Sequence, residues 1–323
     1  MKRWSLPRAA VRAAMLATVL ALVLVPWLPF VYPVFVMKLL CLALFACAYN
    51  LLLGFGGIMS FGHAAFFGSA AYLTGLAVKH AGWSPELGIL AGTLGAAVLG
   101  AGIGALAIRR QGIYLAMVTL ALAQMVYFAF LQLPFTGAED GMQQIPRGHL
   151  FGLVDLRSDT ALYYLVLVLS LGGMALIHRV VFSPFGHVVV AIREHEPRAR
   201  SLGYPVDRYK LVLFVLSAAL SGLAGSMKAL VFQLAALTDV HWHLSGDVVL
   251  MALLGGMQSV LGPALGAAIV VGLQYYLDAF GGWVTLVTGL IFMVCVMCFR
   301  SGIAGALAPR AAGDAQTPMQ RSS

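Results

Sequence analysis

The sequence predicts an all-α fold, a polytopic transmembrane helix bundle of about ten segments, some of them broken or re-entrant. Three observations predict it. Apolar residues make up 61% of the 323-residue chain, charged residues only 10%, and the mean hydropathy is +0.92. A soluble domain carries about 25% charged residues, so there are too few here to cover a water-facing surface. The apolar runs recur evenly along the chain, which predicts one continuous membrane domain over residues 1–302. The basic residues fall in short clusters between those runs, the pattern that sets orientation in a membrane. For that reason the net charge of +8 is not read as a nucleic-acid surface.

A crossing helix needs about 20 mostly apolar residues. Spans are expected at 13–33, 36–54, 61–79, 87–108, 112–133, 161–179, 210–235, 247–258, 261–278 and 283–300. Lys2, Arg3, Arg8 and Arg12 before the first run resemble a signal peptide, but Pro26, Trp27 and Pro29 follow where a small-residue cleavage site would stand. An uncleaved first span is expected. The piece 247–258 is too short to cross alone and is bounded by Gly255, Gly256, Gly262 and Pro263, so it is expected to be broken or re-entrant. Basic clusters at the N-terminus, at Arg109 and Arg110, across Arg179–Lys210 and after Arg300 all fall on one side of ten crossings. By the positive-inside rule that side is the cytoplasm, with both termini. The tail 303–323, small and polar, is expected to be disordered.

The connection Ser183–Lys210 reads SPFGHVVVAIREHEPRARSLGYPVDRYK. It is too polar for lipid, yet patterned. Val188, Ala191, Ile192 and Leu202 form an interrupted apolar stripe beside Arg193, Glu194, Glu196, Arg198 and Arg200. Pro197 should kink a helix or start a new one, and Gly203 should end it. A short amphipathic helix there is a docking element; a solvated loop that only sets topology is the alternative.

Gly54, Gly56, Gly57, Gly62 and Gly68 fall within about four helical turns. Each would weaken a regular helix by roughly 1 kcal/mol relative to alanine. A broken helix lining a solute path is expected: unwound backbone and helix ends hold polar groups, with Asn50 and Ser60 adding neutral hydrogen bonds. Tight packing is the alternative for each glycine. His63 has no carboxylate near it in sequence and reads as a packing or capping residue rather than a proton relay. Lys228 reads as snorkelling to the interface, with a role in the solute path as the alternative, and Asp247 as a cap; His241, Trp242 and His243 read as interfacial residues, with docking of an external partner as the alternative. Cys41, Cys47, Cys295 and Cys298 read as small apolar residues, although the last two form a C-x-x-C. No phosphate-binding loop, paired nucleophile and base, or metal-ligand cluster stands in the sequence. Neither a cofactor nor enzymatic activity is expected.

Three blocks resemble the LivM-type permeases of branched-chain amino acid ABC transporters. The first is Ala191, Ile192, Arg193, Glu194, Glu196, Ala199, Gly203 and Lys210, with Pro197 and Arg198 departing from the family pattern. The second is Asn50, Gly54, Gly57, Ser60, Gly62, His63, Ala71 and Tyr72. The third is Gly255, Gly256, Gly262, Pro263, Gly266 and Ala267. They stand in the family's order over most of residues 35–300. The resemblance implies that the first block docks an ATPase, while Asn50, Gly54, Gly57, Ser60, Gly62, His63, Gly255, Gly256, Gly262 and Pro263 are expected to line the translocation path. It implies an importer in a bacterial inner membrane, working with cytoplasmic ATP-binding subunits, a second homologous permease and an extracytoplasmic substrate-binding protein. Branched-chain or other hydrophobic amino acids are the implied solutes, with urea or short amides as the family's alternative. A stand-alone secondary transporter is disfavoured because the spans hold almost no carboxylates.

Overall fold

The computed structural model describes residues 17–27 and 32–277, apart from residues 151, 153 and 258, together with 289, 290 and 293. The basic N-terminal cluster, almost all of the span expected at 283–300, Cys295, Cys298 and the tail 303–323 lie outside the described residues.

The apolar runs become helices: α1 (Ala17–Trp27), α2 (Pro33–Asn50), α3 (His63–Lys79), α4 (Pro85–Ala107) and α5 (Ile113–Gln132). Then come α6 (Asp159–Val181), α9 (Val206–Phe232), α10 (Trp242–Gly255) and α11 (Gly262–Leu277), with α7 (Pro184–Glu194) and α8 (Glu196–Ser201) in the polar connection. Among the described residues, five helices are long and apolar enough to cross a bilayer: Pro33–Phe55, Pro85–Ala107, Ile113–Gln132, Asp159–Val181 and Val206–Phe232. The first includes a π-helical turn, Leu51–Phe55, that continues α2. The fold is an all-α polytopic membrane bundle.

The buried centre is α2, α3 and α9, with Phe45, Tyr49, Phe66, Phe67, Tyr72 and Phe214 almost fully enclosed. α4 lies on α3 and α9 through small residues: Gly92 meets Thr74 and Ser226, Gly100 meets Ala218, and Gly222 meets Ala96. Such contacts replace the hydrophobic drive that lipid cannot supply. The outer faces of α4 and α5 stay apolar and exposed at Leu90, Leu94, Val98, Met117 and Met125.

One end of the bundle, the basic end, carries Arg109, Arg110 and the connection with α7 and α8. At the other end Met142–Gln143 pairs with Leu234–Ala235, and Lys79 Nζ donates to the Gln143 carbonyl.

Two segments outside the long helices enter the bundle from opposite ends, the second carrying the 3-10 turn Leu237–Asp239. Residues 56–62 turn inward from the basic end, and Gly62 backs onto Thr119, six residues into α5. At 1.5 Å per residue, α3 therefore begins about 9 Å inside. Residues 234–241 descend from the far end until Val240 meets Gly68, five residues along α3. That point lies about 16 Å from the basic end of a bundle roughly 30 Å deep. Both α3 and α10 thus start inside, and Ser245 Oγ accepts the Ala64 N–H at 2.9 Å to tie their first turns together. The broken helix expected at 247–258 is α10, shifted to Trp242–Gly255 and followed by the turn 256–261.

Candidate functional site

The connection at the basic end is a compact three-helix joint. Ser183 caps α7, its hydroxyl accepting the Gly186 N–H. Pro197 falls in the first turn of α8, where a missing N–H costs nothing, so it starts a helix rather than kinking one. Gly203 ends α8 at φ +86, with Gly203 N–H bonded to Arg200 O and Tyr204 N–H to Ala199 O. This is the Schellman pattern, in which glycine takes the left-handed position.

Ile192, Ala199 and Val206 bury themselves at the joint against Val188 and Tyr209. Leu202, expected in the apolar stripe, is instead 69% exposed, because the two-helix geometry turns Ala199 inward in its place. Glu196 accepts from Lys210 Nζ at 2.7 Å and Arg200 at 3.0 Å, which fastens α8 to α9. Burial raises the Glu196 pKa, but hydrogen bonds from Lys210 and Arg200 outweigh it and hold the carboxyl below the usual range. The eight expected docking residues therefore divide. Ala191, Arg193, Glu194 and Gly203 are exposed, Ile192 and Ala199 hold the joint, and Glu196 and Lys210 hold its base.

Arg193 joins the connection to the glycine block. Its guanidinium donates to the Gly54 carbonyl, and its stem lies on Gly57, which sits at φ +67. Gly54 faces the Met257 carbonyl, and Asn50 Nδ2 donates to the Ser259 carbonyl at 3.0 Å. The three sequence blocks, far apart in the chain, meet here. A cavity of about 560 Å³ opens beside them, lined by Gly57, Arg110, Gln111, Arg193, Glu196 and Lys210 among others.

Ser60 and His63 lie deeper. His63 is fully buried at the start of α3, its Nε2 2.9 Å from Ser217 Oγ and its Nδ1 3.3 Å from Ser60 Oγ. Ser217 spends its own hydrogen on the Ala48 carbonyl at 2.6 Å, so Nε2 carries the proton and donates. Both ring nitrogens are held by serines in a neutral tautomer, the arrangement of a packing residue. Gly255 backs onto Gly262 and Pro263, and Gly266 onto the Met251 carbonyl, closing the α10–α11 hairpin at backbone contact.

Several sequence readings change. Lys228 does not reach for an interface: it turns inward to Asp239, Nζ to Oδ2 2.5 Å, with side chains only 17% and 10% exposed. Asp239 had no sequence signal of its own; a lysine inside an apolar span was the cue that a carboxylate must face it. Asp247 does not cap α10, because His241 does, its Nδ1 accepting the His243 N–H. His241, Trp242 and His243 sit at mid-depth rather than at the surface, since 234–241 descends before α10 begins. Arg110, read only as topology, and Gln111, which carried no sequence signal, line the cavity, and Gln111 donates to Glu196.

Residues 34–299 match the family model described as the branched-chain amino acid transport system permease component. The chain is 30% identical over 279 residues to the high-affinity branched-chain amino acid transport system permease protein LivM of Salmonella typhimurium (strain LT2), and 29% identical over 279 residues to the protein of the same name of Escherichia coli (strain K12). Each alignment covers 78% of this chain and 64% of the relative, so the chain spans a little under two thirds of the curated relatives it matches. No solved structure matches significantly. With the family model covering the bundle from the start of α2 onward, and the three sequence blocks meeting at one end of it, the chain belongs to the family of permease components of branched-chain amino acid transport systems.

Proposed function

We propose that this chain is the membrane-spanning permease subunit of an ABC importer that moves branched-chain or other hydrophobic amino acids inward. Its seat is a bacterial inner membrane, with both termini and the connection 183–210 in the cytoplasm. Its partners are cytoplasmic ATP-binding subunits, a second homologous permease and an extracytoplasmic substrate-binding protein. The exposed face of α7 and α8, with Ala191, Glu194 and Gly203, is the docking surface for the ATPase. The breaks at 56–62 and 256–261, with Asn50, Gly54, Gly57, Ser60, Gly62, His63, Gly255, Gly256, Gly262 and Pro263, shape the translocation path.

One observation carries this reading: Arg193 of the docking helix bonds the carbonyl of Gly54, where α2 gives way to the first break. A push on α7 is thereby delivered to the π-helical turn Leu51–Phe55 and, through Gly57 under the arginine stem, to the break that follows, which is the mechanical link an ATP-driven permease requires. The link is contiguous, since Asn50 passes it to the second break.

The test is leucine uptake by vesicles holding the assembled complex, with and without ATP, paired with thiol labelling of His195→Cys in intact cells. Uptake should require ATP and the ATP-binding subunits, and an impermeant reagent added outside should leave residue 195 unlabelled. Leucine uptake by the chain alone, or rapid outside labelling, would overturn the reading.

A further inference from the structure

The Lys228–Asp239 pair takes no part in the coupling just described, yet it lies in the interior of a membrane bundle. Ionisable groups at such depth are costly and mark function more often than architecture. Replacing a buried ion pair by apolar groups is often neutral or stabilising, so stability alone gives little reason to keep one.

The surroundings narrow its use. Asp239 ends the 3-10 turn Leu237–Asp239 within the inward-turning segment 234–241, one residue before Val240, at mid-depth. Its Oδ2 also accepts the Ala236 N–H at 3.3 Å, while Lys228 lies over the Phe232 ring, 5.6 Å from its centroid. Residues on either side of Asp239 are exposed although Val240 is buried: Thr238 and His243 are exposed, and Trp242 is 42% exposed. A polar lateral face at that depth is poorly suited to lipid and well suited to a water-filled path. The Tyr72 hydroxyl, fully buried in α3 and without a hydrogen-bond partner, lies within electrostatic reach of Asp239. It is a buried polar group left without a partner in the region of the pair.

We propose that Lys228 and Asp239 form a transit site for a zwitterionic α-amino acid. The solute's carboxylate takes Lys228 and its ammonium takes Asp239, so the resting ion pair opens and two ion pairs replace one. Every charge stays matched throughout, which a low-dielectric interior demands. The α-carboxylate and α-ammonium sit on one carbon, close enough to engage partners that touch each other at rest. Phe232, under Lys228, gives an aromatic wall for the side chain, and Tyr127 and Trp242 gather around His241, two residues beyond Asp239. An amino-acid amide, lacking the carboxylate, would leave Lys228 unpaired and is rejected. The inference rests on the permease reading and names the solute chemistry within it.

Thr238→Cys in the assembled complex supplies the first measurement, because the position is exposed and the change small. Saturating leucine should slow its modification by a charged methanethiosulfonate, and leucinamide should not. The double variant K228M/D239L, which leaves no unpaired ion, should raise the KM for leucine uptake by at least about tenfold. Labelling indifferent to leucine, in a complex that still imports leucine, overturns this site and leaves the permease reading intact. A wild-type complex that imports no leucine overturns the permease reading itself. Should the double variant fail to assemble, the exchanged pair K228D/D239K decides: assembly with a wild-type KM makes the pair a structural tie and ends the proposal, whereas assembly with a raised KM upholds it. If neither variant assembles, the Thr238→Cys protection alone upholds or ends it.

Discussion

Gly57 and Gly82 offer a matched pair of perturbations. Both hold left-handed backbone, at φ +67 and φ +66, so a Cβ at either costs about 1–2 kcal/mol of backbone strain. They differ in what that Cβ meets. At Gly82, between α3 and α4 at the far end, nothing lies within 4 Å. At Gly57 the added carbon would stand 2.8 Å from Arg193 Cγ and 3.3 Å from Cδ. Comfortable carbon contacts begin near 3.5 Å, so the arginine stem must shift by about 0.7 Å. That shift draws the guanidinium off the Gly54 carbonyl. Arg193 is exposed, so losing the bond adds at most about 1 kcal/mol to the strain. Gly57→Ala and Gly82→Ala should therefore melt alike in detergent, within about 1 kcal/mol of each other. They should part in transport. With leucine uptake and ATP hydrolysis measured on the same vesicles, Gly82→Ala should keep the wild-type ratio of solute moved to ATP spent, and Gly57→Ala should lose most of it. An equal ratio in the two variants would refute the claim that Arg193 links the docking helix to the break.

Gly203→Pro removes the N–H bonded to Arg200 O and imposes a negative φ where the chain holds +86, so α8 should lose its last turn. ATP hydrolysis should then run without uptake while the chain stays in the membrane, as membrane fractionation and both activities would report. Glu196→Gln should loosen the α8–α9 base by about 0.5–1 kcal/mol, a figure kept small by partial exposure, and show as a lowered melting temperature. The native carboxylate's folded pKa is depressed, so its contribution is fully present above the ordinary glutamate value of 4.5 and fades as pH falls through the depressed one. The wild-type and Glu196→Gln melting curves should converge only under that acid condition. Asn50→Leu strips the Ser259 carbonyl of its donor in a buried setting and should cost about 1–3 kcal/mol by detergent melting, with uptake falling alongside.

The bundle was legible in sequence because membrane helices announce themselves by length and apolar content. The expected 87–108 and 112–133 became Pro85–Ala107 and Ile113–Gln132 almost unchanged. The shape of the connection was legible where its residues act locally, as Pro197 and Gly203 do. Depth was not legible. His241–His243 stand next to a polar stretch and read as surface, yet 234–241 is a segment that turns back inward, and only its contacts with α3 reveal that. Partnership across the fold was hidden for the same reason. Lys228 and Asp239 lie on either side of the turn at Gln233, which takes a left-handed conformation that no glycine advertises. Leu202 misled because the stripe was carried across Pro197 without the rotation that a restart brings, and the restart at Glu196 turns the second half.

The shortness of α10 bears on how the protein is built into its membrane. Fourteen residues reach about 21 Å, well short of the hydrocarbon thickness, and the helix begins beneath the far surface. The insertion machinery recognises segments by length and apolarity, so α10 has no means of entering by itself. It must arrive as half of a hairpin with α11, once α2 and α3 already stand there to receive Ser245 and Ser259. Assembly is therefore ordered from the N-terminal helices onward. A bulky residue at Gly266, which leaves no gap to the Met251 carbonyl, would act at that late step of biogenesis, and quality control rather than transport would register the damage.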